Sequence, residues 1–255
     1  MGVVDLPRLT QNCQSCPIRH RAVCASCEPD ELNALERIKY YRSFQAGDPI
    51  IWTGDAMDFV ATVISGVATL TQTMEDGRRQ MVGLLLPSDF MGRPGRARAT
   101  YDVVAATDLR LCCFRRKPFE DMLQQTPHLS QRLLVMALDE LDASRDWQLL
   151  LGRKTALEKI ATLLVILARR SAIENQTTAA LSIGPLAVDL PLSREQTADY
   201  LGLTLETVSR KISALRRSGM IALEGNRRVT IKSLAALRLV SGEHDPERPA
   251  DRERA

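Results

Sequence analysis

Six cysteines give this 255-residue sequence its clearest chemical signal. Four are grouped near the amino terminus and two are adjacent farther along the chain, at Cys13, Cys16, Cys24, Cys27, Cys112 and Cys113. Thiols at such short spacings either pair as disulfides or, as thiolates, bind metal. Disulfides are typical of small secreted domains, and residues 1–9 lack the basic and apolar pattern of an export signal. We therefore expect reduced cysteines that hold a metal in a cytoplasmic protein.

Length, hydropathy and charge exclude several classes of protein. The chain is long enough for two domains of about 100–200 residues, so folding does not require disulfides. Its longest apolar run, residues 160–168, is far shorter than the roughly 20 residues that cross a bilayer, and we predict no membrane segment. The three histidines are scattered and no pattern of nucleophile and base is present, so we do not predict an enzyme. The net charge of +3 does not by itself indicate a nucleic-acid partner.

Residues 44–114 have the pattern of a β domain. Short apolar runs at 50–52, 61–71 and 80–86 are rich in β-branched or alternating residues. Turn residues separate these runs at spacings suited to hairpins, around Gly47, Gly54, Gly66 and Gly77. Regularly spaced short strands favour a barrel or jelly roll over an α/β sheet.

A helical pattern follows Pro127. One stripe has the spacing of a coiled-coil seam and is apolar except at one glutamate: Leu129, Leu133, Met136, Glu140, Ala143, Trp147 and Leu150. A second apolar stripe lies beside it, at Leu134, Leu138, Leu141 and Leu151. Two stripes need two partners, which favours a dimerisation helix over one packed entirely on its own β domain. We predict that this helix ends at Gly152 and that its dimer seam contains Leu133, Met136, Glu140, Ala143 and Trp147.

Two capped helices near the carboxyl end have the spacing of a helix-turn-helix. Ser193 and Gln196 form the pattern of a capping box, and Gly202 supplies the turn that ends the first helix. Thr204 caps a second helix that we expect to run to about residue 217, before Gly219. Apolar residues of the two helices point to one shared core.

The second of these helices carries the side chains of a major-groove reader. We predict DNA contacts from Glu206, Thr207, Ser209, Arg210 and Lys211. An arginine can grip a guanine edge with two hydrogen bonds, and a glutamate can accept from a cytosine amine. Residues 192–232 contain eight basic and four acidic residues, a local excess of +4. A predicted hairpin wing, strands 220–223 and 229–231, would bring Arg227 and Arg228 to the phosphates of double-stranded DNA.

The sequence resembles the CRP/FNR superfamily of bacterial transcription regulators, and specifically its FNR branch. The resemblance rests on residues 44–55, 63–70 and 84–92 of the β region and on residues 201–210 of the helix-turn-helix. It implies an α+β protein that binds palindromic promoter sites as a homodimer, activates transcription and contacts RNA polymerase. Glu206, Ser209 and Arg210 match the positions with which that family contacts bases.

Domain boundaries follow from the patterns and the resemblance together. We expect a cysteine-rich cluster-binding segment at residues 1–30, a β jelly-roll sensor domain at 31–126 and a dimerisation helix at 127–152. A winged helix-turn-helix domain at 153–240 would begin with a helix over 155–170 and contain an irregular segment at 172–185. Residues 241–255 are charged and contain proline, which predicts a disordered tail.

The resemblance also implies an oxygen sensor that carries a [4Fe-4S] cluster. Carried over by position, the ligands would be Cys13, Cys16, Cys24 and Cys112. Cys27 and Cys113 are extra thiols that could substitute, although Cys112 and Cys113 must face opposite sides of a strand. The alternatives are a structural zinc on the four amino-terminal cysteines, with His20 as a further candidate ligand, or a different signal such as nitric oxide.

Two further expectations concern regulation. Residues 92–100 lack the Glu and the Arg-Ser-Ala run with which the cyclic-nucleotide branch holds a phosphate, so we expect no cyclic nucleotide. Glu140 interrupts the apolar seam, and pairing two subunits there would bring like charges together. We hypothesise that an intact cluster offsets this repulsion, so that Glu140→Leu or Glu140→Ala would dimerise in air.

Overall fold

A computed structural model describes residues 12–174, 184–225 and 227–243. The chain divides into two compact units, with the boundary between Asp146 and Trp147. Within the described residues, no helix is both long enough and apolar enough to span a membrane.

The amino-terminal unit is a β sandwich flanked by helices. A short helix precedes the strands, and two helices follow them. Its elements are α1 (Pro29–Ile38), β1 (Lys39–Phe44), β2 (Pro49–Ile51), β3 (Phe59–Ser65), β4 (Ala68–Thr73), β5 (Arg79–Leu85), β6 (Phe90–Met91), β7 (Asp102–Ala105), β8 (Leu109–Arg115), α2 (Arg116–Gln125) and the first part of α3 (Pro127–Arg153).

Two four-stranded antiparallel sheets enclose the core of this unit. One has the strand order β1-β8-β3-β6 and the other β2-β7-β4-β5. Residues of both sheets share one buried cluster that includes Ile51, Ala61, Val103 and Leu111. The crossed strand order and the shared core confirm the predicted jelly roll. Gly66 lies between β3 and β4 with φ +82°, and a Cβ there would collide with the Asp108 carbonyl oxygen, so this turn requires glycine.

Helix α3 does not end where the sequence predicted. Gly152 lies inside its last turn and the helix continues to Arg153. The helix ends there because the following helix starts with its own capping residues. Thr155 N–H donates to Glu158 Oε2 at 2.6 Å, and Glu158 N–H donates to Thr155 Oγ1 at 3.4 Å. This reciprocal pair satisfies free amides at a helix start, which favours a new helix at this point over continuation of α3.

The carboxy-terminal unit packs helices against a small sheet. Its elements after the end of α3 are α4 (Ala156–Glu174), β9 (Leu186–Asp189), α5 (Arg194–Leu201), α6 (Leu205–Arg217), β10 (Ile221–Glu224), β11 (Arg228–Ile231) and α7 (Leu234–Ser241). The antiparallel sheet has the order β10-β11-β9. Helix α4 extends four residues beyond the predicted 170, so the irregular segment expected at 172–185 does not begin before residue 175. Residues 175–183 and 244–255 lie outside the described part, and Ser241, expected in the tail, closes α7.

Candidate metal centre and nucleic-acid interface

The amino-terminal cysteines lie on a compact series of turns. Cys16 N–H donates to the Cys13 carbonyl at 3.4 Å, and Cys27 N–H donates to the Cys24 carbonyl at 3.1 Å. Arg19 binds the far side of the segment, because its two Nη atoms donate to the carbonyls of Ala25 at 2.6 Å and Cys27 at 3.0 Å. The seven residues between Cys16 and Cys24 are thereby folded into a closed loop instead of being extended.

Adjacent cysteines of strand β8 face opposite sides of their sheet. Cys113 pairs across the strands with Tyr40 and Ala61, is fully buried and belongs to the core between the sheets. Cys112 lies on the other face and joins a second hydrophobic cluster, which also contains Cys13, Cys24 and Cys27. The predicted opposition of the two thiols is confirmed, and Cys112 is the one on the side of the amino-terminal cysteines.

The pKa shifts of Cys112 and Cys24 indicate that four thiols lie in one region. Burial raises the pKa of the Cys112 thiol well above its ordinary value, and nearby Cys13, Cys24 and Cys16 raise it further. Burial likewise raises the pKa of Cys24 to about 11, against the opposing charge of Arg19. The raised pKa values of Cys24 and Cys112 favour the neutral thiols, so both must lose protons before they can bind metal.

Cys27 is a further buried thiol of the same cluster. Burial raises its pKa to about 12, and Cys24 and Glu31 raise it further against the opposing charge of Arg19. His20, the additional zinc ligand considered from sequence, is exposed.

The candidate donors of this region are cysteine sulfurs. Among the described residues, no three His, Cys, Asp or Glu side chains are arranged to hold one metal ion. A tetrahedral zinc needs four sulfurs within about 2.3 Å of one point, whereas iron and sulfide atoms separate the thiolates of a cubane cluster. Cys13, Cys16, Cys24 and Cys112 come from two remote segments of the chain, and thiolates are the side chains that hold iron–sulfur clusters.

Lys39 is a residue of this region that sequence reasoning missed. Its side chain is 6% exposed, and its Nζ lies 3.2 Å from Cys13 Sγ and 3.3 Å from Glu36 Oε1. Burial lowers the pKa of Lys39, but hydrogen bonds to Cys13 and Tyr41 outweigh it, and the pKa lies above its ordinary value. The sequence gives no indication of this contact, because the two residues are 26 positions apart and Lys39 opens a strand.

The cysteine loop contacts the start of helix α3. Arg132 donates from Nη2 to the Arg21 carbonyl at 2.6 Å and from Nε to the Ala22 carbonyl at 3.4 Å. Val23 and Leu129 are both fully buried in the cluster that contains the cysteines. The loop and the helix therefore share hydrogen bonds and a core. Arg132 was also missed from sequence, where the only sign was a basic residue beside two apolar stripes.

The predicted dimer seam is not one free face. Leu133 and Met136 are half-buried against the cysteine-bearing cluster of their own unit. Glu140 and Ala143 are exposed. Trp147 stacks on Tyr200 with ring centroids 4.0 Å apart. This stripe packs within the chain at both ends because its residues belong to the cores of the two units.

Three of the four leucines of the second apolar stripe of α3 are exposed, and the fourth, Leu151, is half-buried. Leu134, Leu138 and Leu141 are 60%, 52% and 46% exposed. They recur at intervals of four and three residues, which places them on one helix face. Glu140 falls four residues after Met136 and seven after Leu133, so it belongs to the stripe of the predicted seam and not to the leucine stripe, and its own side chain is exposed.

The helix-turn-helix forms as its sequence predicted. Ser193 Oγ accepts from Gln196 N–H at 3.1 Å, and Gln196 Oε1 accepts from Ser193 N–H at 2.8 Å. Gly202 ends α5 in the left-handed conformation, with φ +61° and ψ +46°. Thr204 Oγ1 accepts from Thr207 N–H at 3.2 Å at the start of α6, and that helix ends at Arg217.

Helix α6 presents a polar face outward over a buried apolar one. Glu206, Ser209 and Arg210 are exposed, whereas Thr207 and Lys211 are half-buried. The Thr207 hydroxyl accepts a hydrogen bond from the Thr204 hydroxyl at 2.9 Å, so this side chain is partly committed to the cap. The opposite face is buried, through Val208, Ile212 and Leu215. The outward residues have the geometry of a helix that enters a groove.

The wing follows α6 directly. Strands β10 and β11 pair in register from Ile221–Ile231 to Glu224–Arg228. Arg227 and Arg228 are exposed at its tip, and Arg228 Nε lies 3.9 Å from Glu224 Oε2. Strand β9 pairs with β11 and fixes the wing to the unit. A basic hairpin beside a polar helix is suited to phosphate contacts.

Two family models match separate parts of the chain. Residues 41–126 match the cyclic nucleotide-binding domain, and residues 158–240 match the Crp-like helix-turn-helix domain. The first match covers the jelly roll and the second covers the carboxy-terminal unit from α4 to α7.

Known proteins match most of the chain, across both units. The transcriptional activator protein FnrL of Cereibacter sphaeroides is 65% identical over 237 residues, covering 93% of this chain and 94% of that protein. The nitrogen fixation regulation protein FixK of Bradyrhizobium diazoefficiens is 37% identical and covers 83% of this chain and 86% of its own length. The solved structure of FixK2 from Bradyrhizobium japonicum has a TM-score of 0.71 and 29% identity, covering 82% of this chain and 100% of that one.

Proposed function

This chain belongs to the CRP/FNR superfamily of DNA-binding transcription regulators, and we propose that it is an activator whose DNA binding responds to oxygen through a [4Fe-4S] cluster. The ligands are Cys13, Cys16, Cys24 and Cys112. The active form is a homodimer on a palindromic promoter site, where it contacts RNA polymerase in the cytoplasm. Its membership in a family of regulators means that it is not an enzyme.

One observation carries this proposal. Cys112, on a central strand of the sandwich, packs in one cluster with Cys13 and Cys24, and Cys13, Cys24 and Cys16 all raise the pKa of its thiol, although they lie about 90–100 positions earlier in the chain. Four thiolates from two segments are the usual ligands of a cubane cluster. Such a cluster supplies oxygen-labile bonds that tie the cysteine loop to the sandwich.

The contacts of the loop explain how its state could reach helix α3. Arg132 binds the carbonyls of Arg21 and Ala22, and Val23 shares a buried cluster with Leu129. When the loop is tied to β8, these contacts hold the first turns of α3 in one position. When the tie is lost, the loop carries fewer constraints and the position of α3 is less defined.

We place the second subunit on the leucine stripe of α3. Leu134, Leu138 and Leu141 are exposed apolar side chains at intervals of four and three residues. A parallel helix of a second copy would cover this surface. A two-fold pair of α6 helices then matches the symmetry of a palindromic site, with Glu206, Ser209 and Arg210 facing bases.

Replacement of Cys112 tests the proposal, and replacement of the adjacent Cys113 is the control. Cys112→Ala should lose bound iron and sulfide in anaerobic preparations, because one of four ligands is missing. Cys113→Ala removes the same thiol from the opposite face of the strand and should keep full iron and sulfide content. The measurement is iron, sulfide and visible absorbance of both variants beside the unaltered protein. A colourless zinc protein, or equal iron in both variants, would contradict the proposal.

A further inference from the structure

Lys39 is the one lysine among the described residues whose ammonium group is recorded in a hydrogen bond to a cysteine sulfur. We propose that Lys39 is a positioning residue of the cluster site: its ammonium group donates to Cys13 Sγ and sets the cluster's reduction potential and its lifetime in air. This inference rests on the proposed cluster and adds a residue to it. The distance is 3.2 Å, within the range for a donor to sulfur.

The surroundings of Lys39 hold its charge at the sulfur. The side chain is 6% exposed and opens strand β1, whose next inward residue, Tyr41, pairs with Cys112 across the sheet. The Lys39 Nζ lies 5.4 Å from the centre of the Tyr41 ring. A strand residue with its end group beneath an aromatic ring and beside a carboxylate has little freedom to leave. The ammonium group is thus held beside one proposed ligand, Cys13.

A fixed positive charge beside a cluster has a predictable effect. Reduction adds negative charge to the cluster, and a nearby cation stabilises the reduced form more than the oxidised form. Hydrogen bonds to the sulfurs act in the same direction. Lys39 therefore raises the reduction potential and makes the cluster harder for oxygen to oxidise.

Glu36 supplies an opposing charge. Its Oε1 lies 3.3 Å from the Lys39 Nζ, and its side chain is 32% exposed on α1. Neutralising this carboxylate leaves the ammonium uncompensated and increases the positive charge at Cys13. Lys39 and Glu36 should consequently have effects of opposite sign on the same quantity, which a general loss of folding cannot produce.

The experiment uses the full-length, cluster-loaded protein and four variants. Lys39→Met keeps the length of the side chain without its charge, Lys39→Arg keeps the charge, and Glu36→Gln removes the opposing charge. Lys117→Met is the matched control, because Lys117 is 77% exposed on α2 and pairs with Asp121 in a surface contact. The midpoint potential and the rate of absorbance loss on aeration are measured for each, with iron content and helical ellipticity as checks.

We expect Lys39→Met to lower the midpoint potential and to speed cluster loss about tenfold, the factor that one charged hydrogen bond represents. Lys39→Arg should keep the midpoint potential and the rate of cluster loss close to those of the unaltered protein. Glu36→Gln should raise the potential and slow the loss, by smaller amounts. Lys117→Met should change neither quantity. The inference fails, while the proposed function stands, if the unaltered protein carries a cluster and the cluster of Lys39→Met has the same midpoint potential and the same lifetime in air. If the unaltered anaerobic protein contains no iron, both fail.

Discussion

The two functional regions of this protein are built in contrasting ways. The helix-turn-helix is local: its caps, its turn glycine and its outward residues all lie between Ser193 and Arg217, and hydrogen bonds join residues three apart. The cysteine site is assembled from a loop, a strand end and the middle of a sheet, and its contacts join residues 26 to 111 positions apart. Local sites are specified by short-range chemistry, whereas the cysteine site exists only when the whole sandwich is folded.

The largest expected effect tests which stripe of α3 meets a second subunit. Leu138→Asp places two facing carboxylates in the proposed apolar contact, and we expect the anaerobic protein to sediment as a monomer with unchanged iron content. The seam predicted from sequence implies dimers of Glu140→Ala in air. A subunit contact on the leucine stripe instead implies that this variant leaves the anaerobic dimer, and the monomer in air, as they are. If Glu140→Ala forms dimers in air and Leu138→Asp still forms dimers without oxygen, the subunit contact lies on the seam predicted from sequence and not on the leucine stripe.

Arginine replacements in the carboxy-terminal unit should separate base reading from phosphate binding. Arg210→Ala should cost about 1–3 kcal/mol and relax preference at one base position, because Arg210 faces outward from α6. Arg227→Ala, on the wing, should weaken binding equally for all sequences and reduce the salt slope by about one. Anaerobic binding isotherms on matched and mismatched duplexes at several salt concentrations distinguish the two. Identical specificity profiles for both variants would place base reading elsewhere.

The sequence predicted the local region almost completely and the assembled region only in outline. The caps at Ser193 and Thr204 and the turn at Gly202 follow from side chains that bond to amides three residues away. Cys112 was chosen by family resemblance, since no pattern within a strand shows what lies across the sheet. Lys39 and Arg132 could not be predicted, because their contacts depend on how the loop packs on the finished sandwich.

The contribution of the thiols to the pH dependence of stability should come from the cysteine-bearing unit, because all six cysteines precede residue 114. Burial raises the pKa of Cys24 to about 11 in the folded, metal-free protein. The unfolded chain releases this proton near an ordinary thiol pKa of about 8.5, so stability is full below that value and falls as the pH rises toward 11.

Thermal unfolding of reduced, cluster-free protein at pH 7 and pH 10 measures this loss. We expect the midpoint at pH 10 to fall by about 2–4 °C for each kcal/mol lost, and to fall less in Cys24→Ala. An equal fall in that variant would assign the pH dependence to other groups.

The smallest expected effect concerns a cap. Ser193→Ala removes one acceptor from the start of α5 and should lower the free energy of unfolding of the carboxy-terminal unit by about 1 kcal/mol. Iron content and cluster lifetime should be unaffected, because the cap acts within a few residues. Chemical denaturation measures the free energy of unfolding, and iron analysis and the rate of absorbance loss in air measure the state of the cluster. A shortened cluster lifetime would show that the two regions are not independent.

The most direct test of the central claim follows one anaerobic sample before and after air. Binding to a palindromic duplex, selected by the protein from random sequence without oxygen, is measured by fluorescence anisotropy while the visible absorbance is recorded. We predict that DNA binding and the iron–sulfur absorbance disappear together. Equally tight binding in a sample that has lost its absorbance would contradict control of DNA binding by Cys13, Cys16, Cys24 and Cys112.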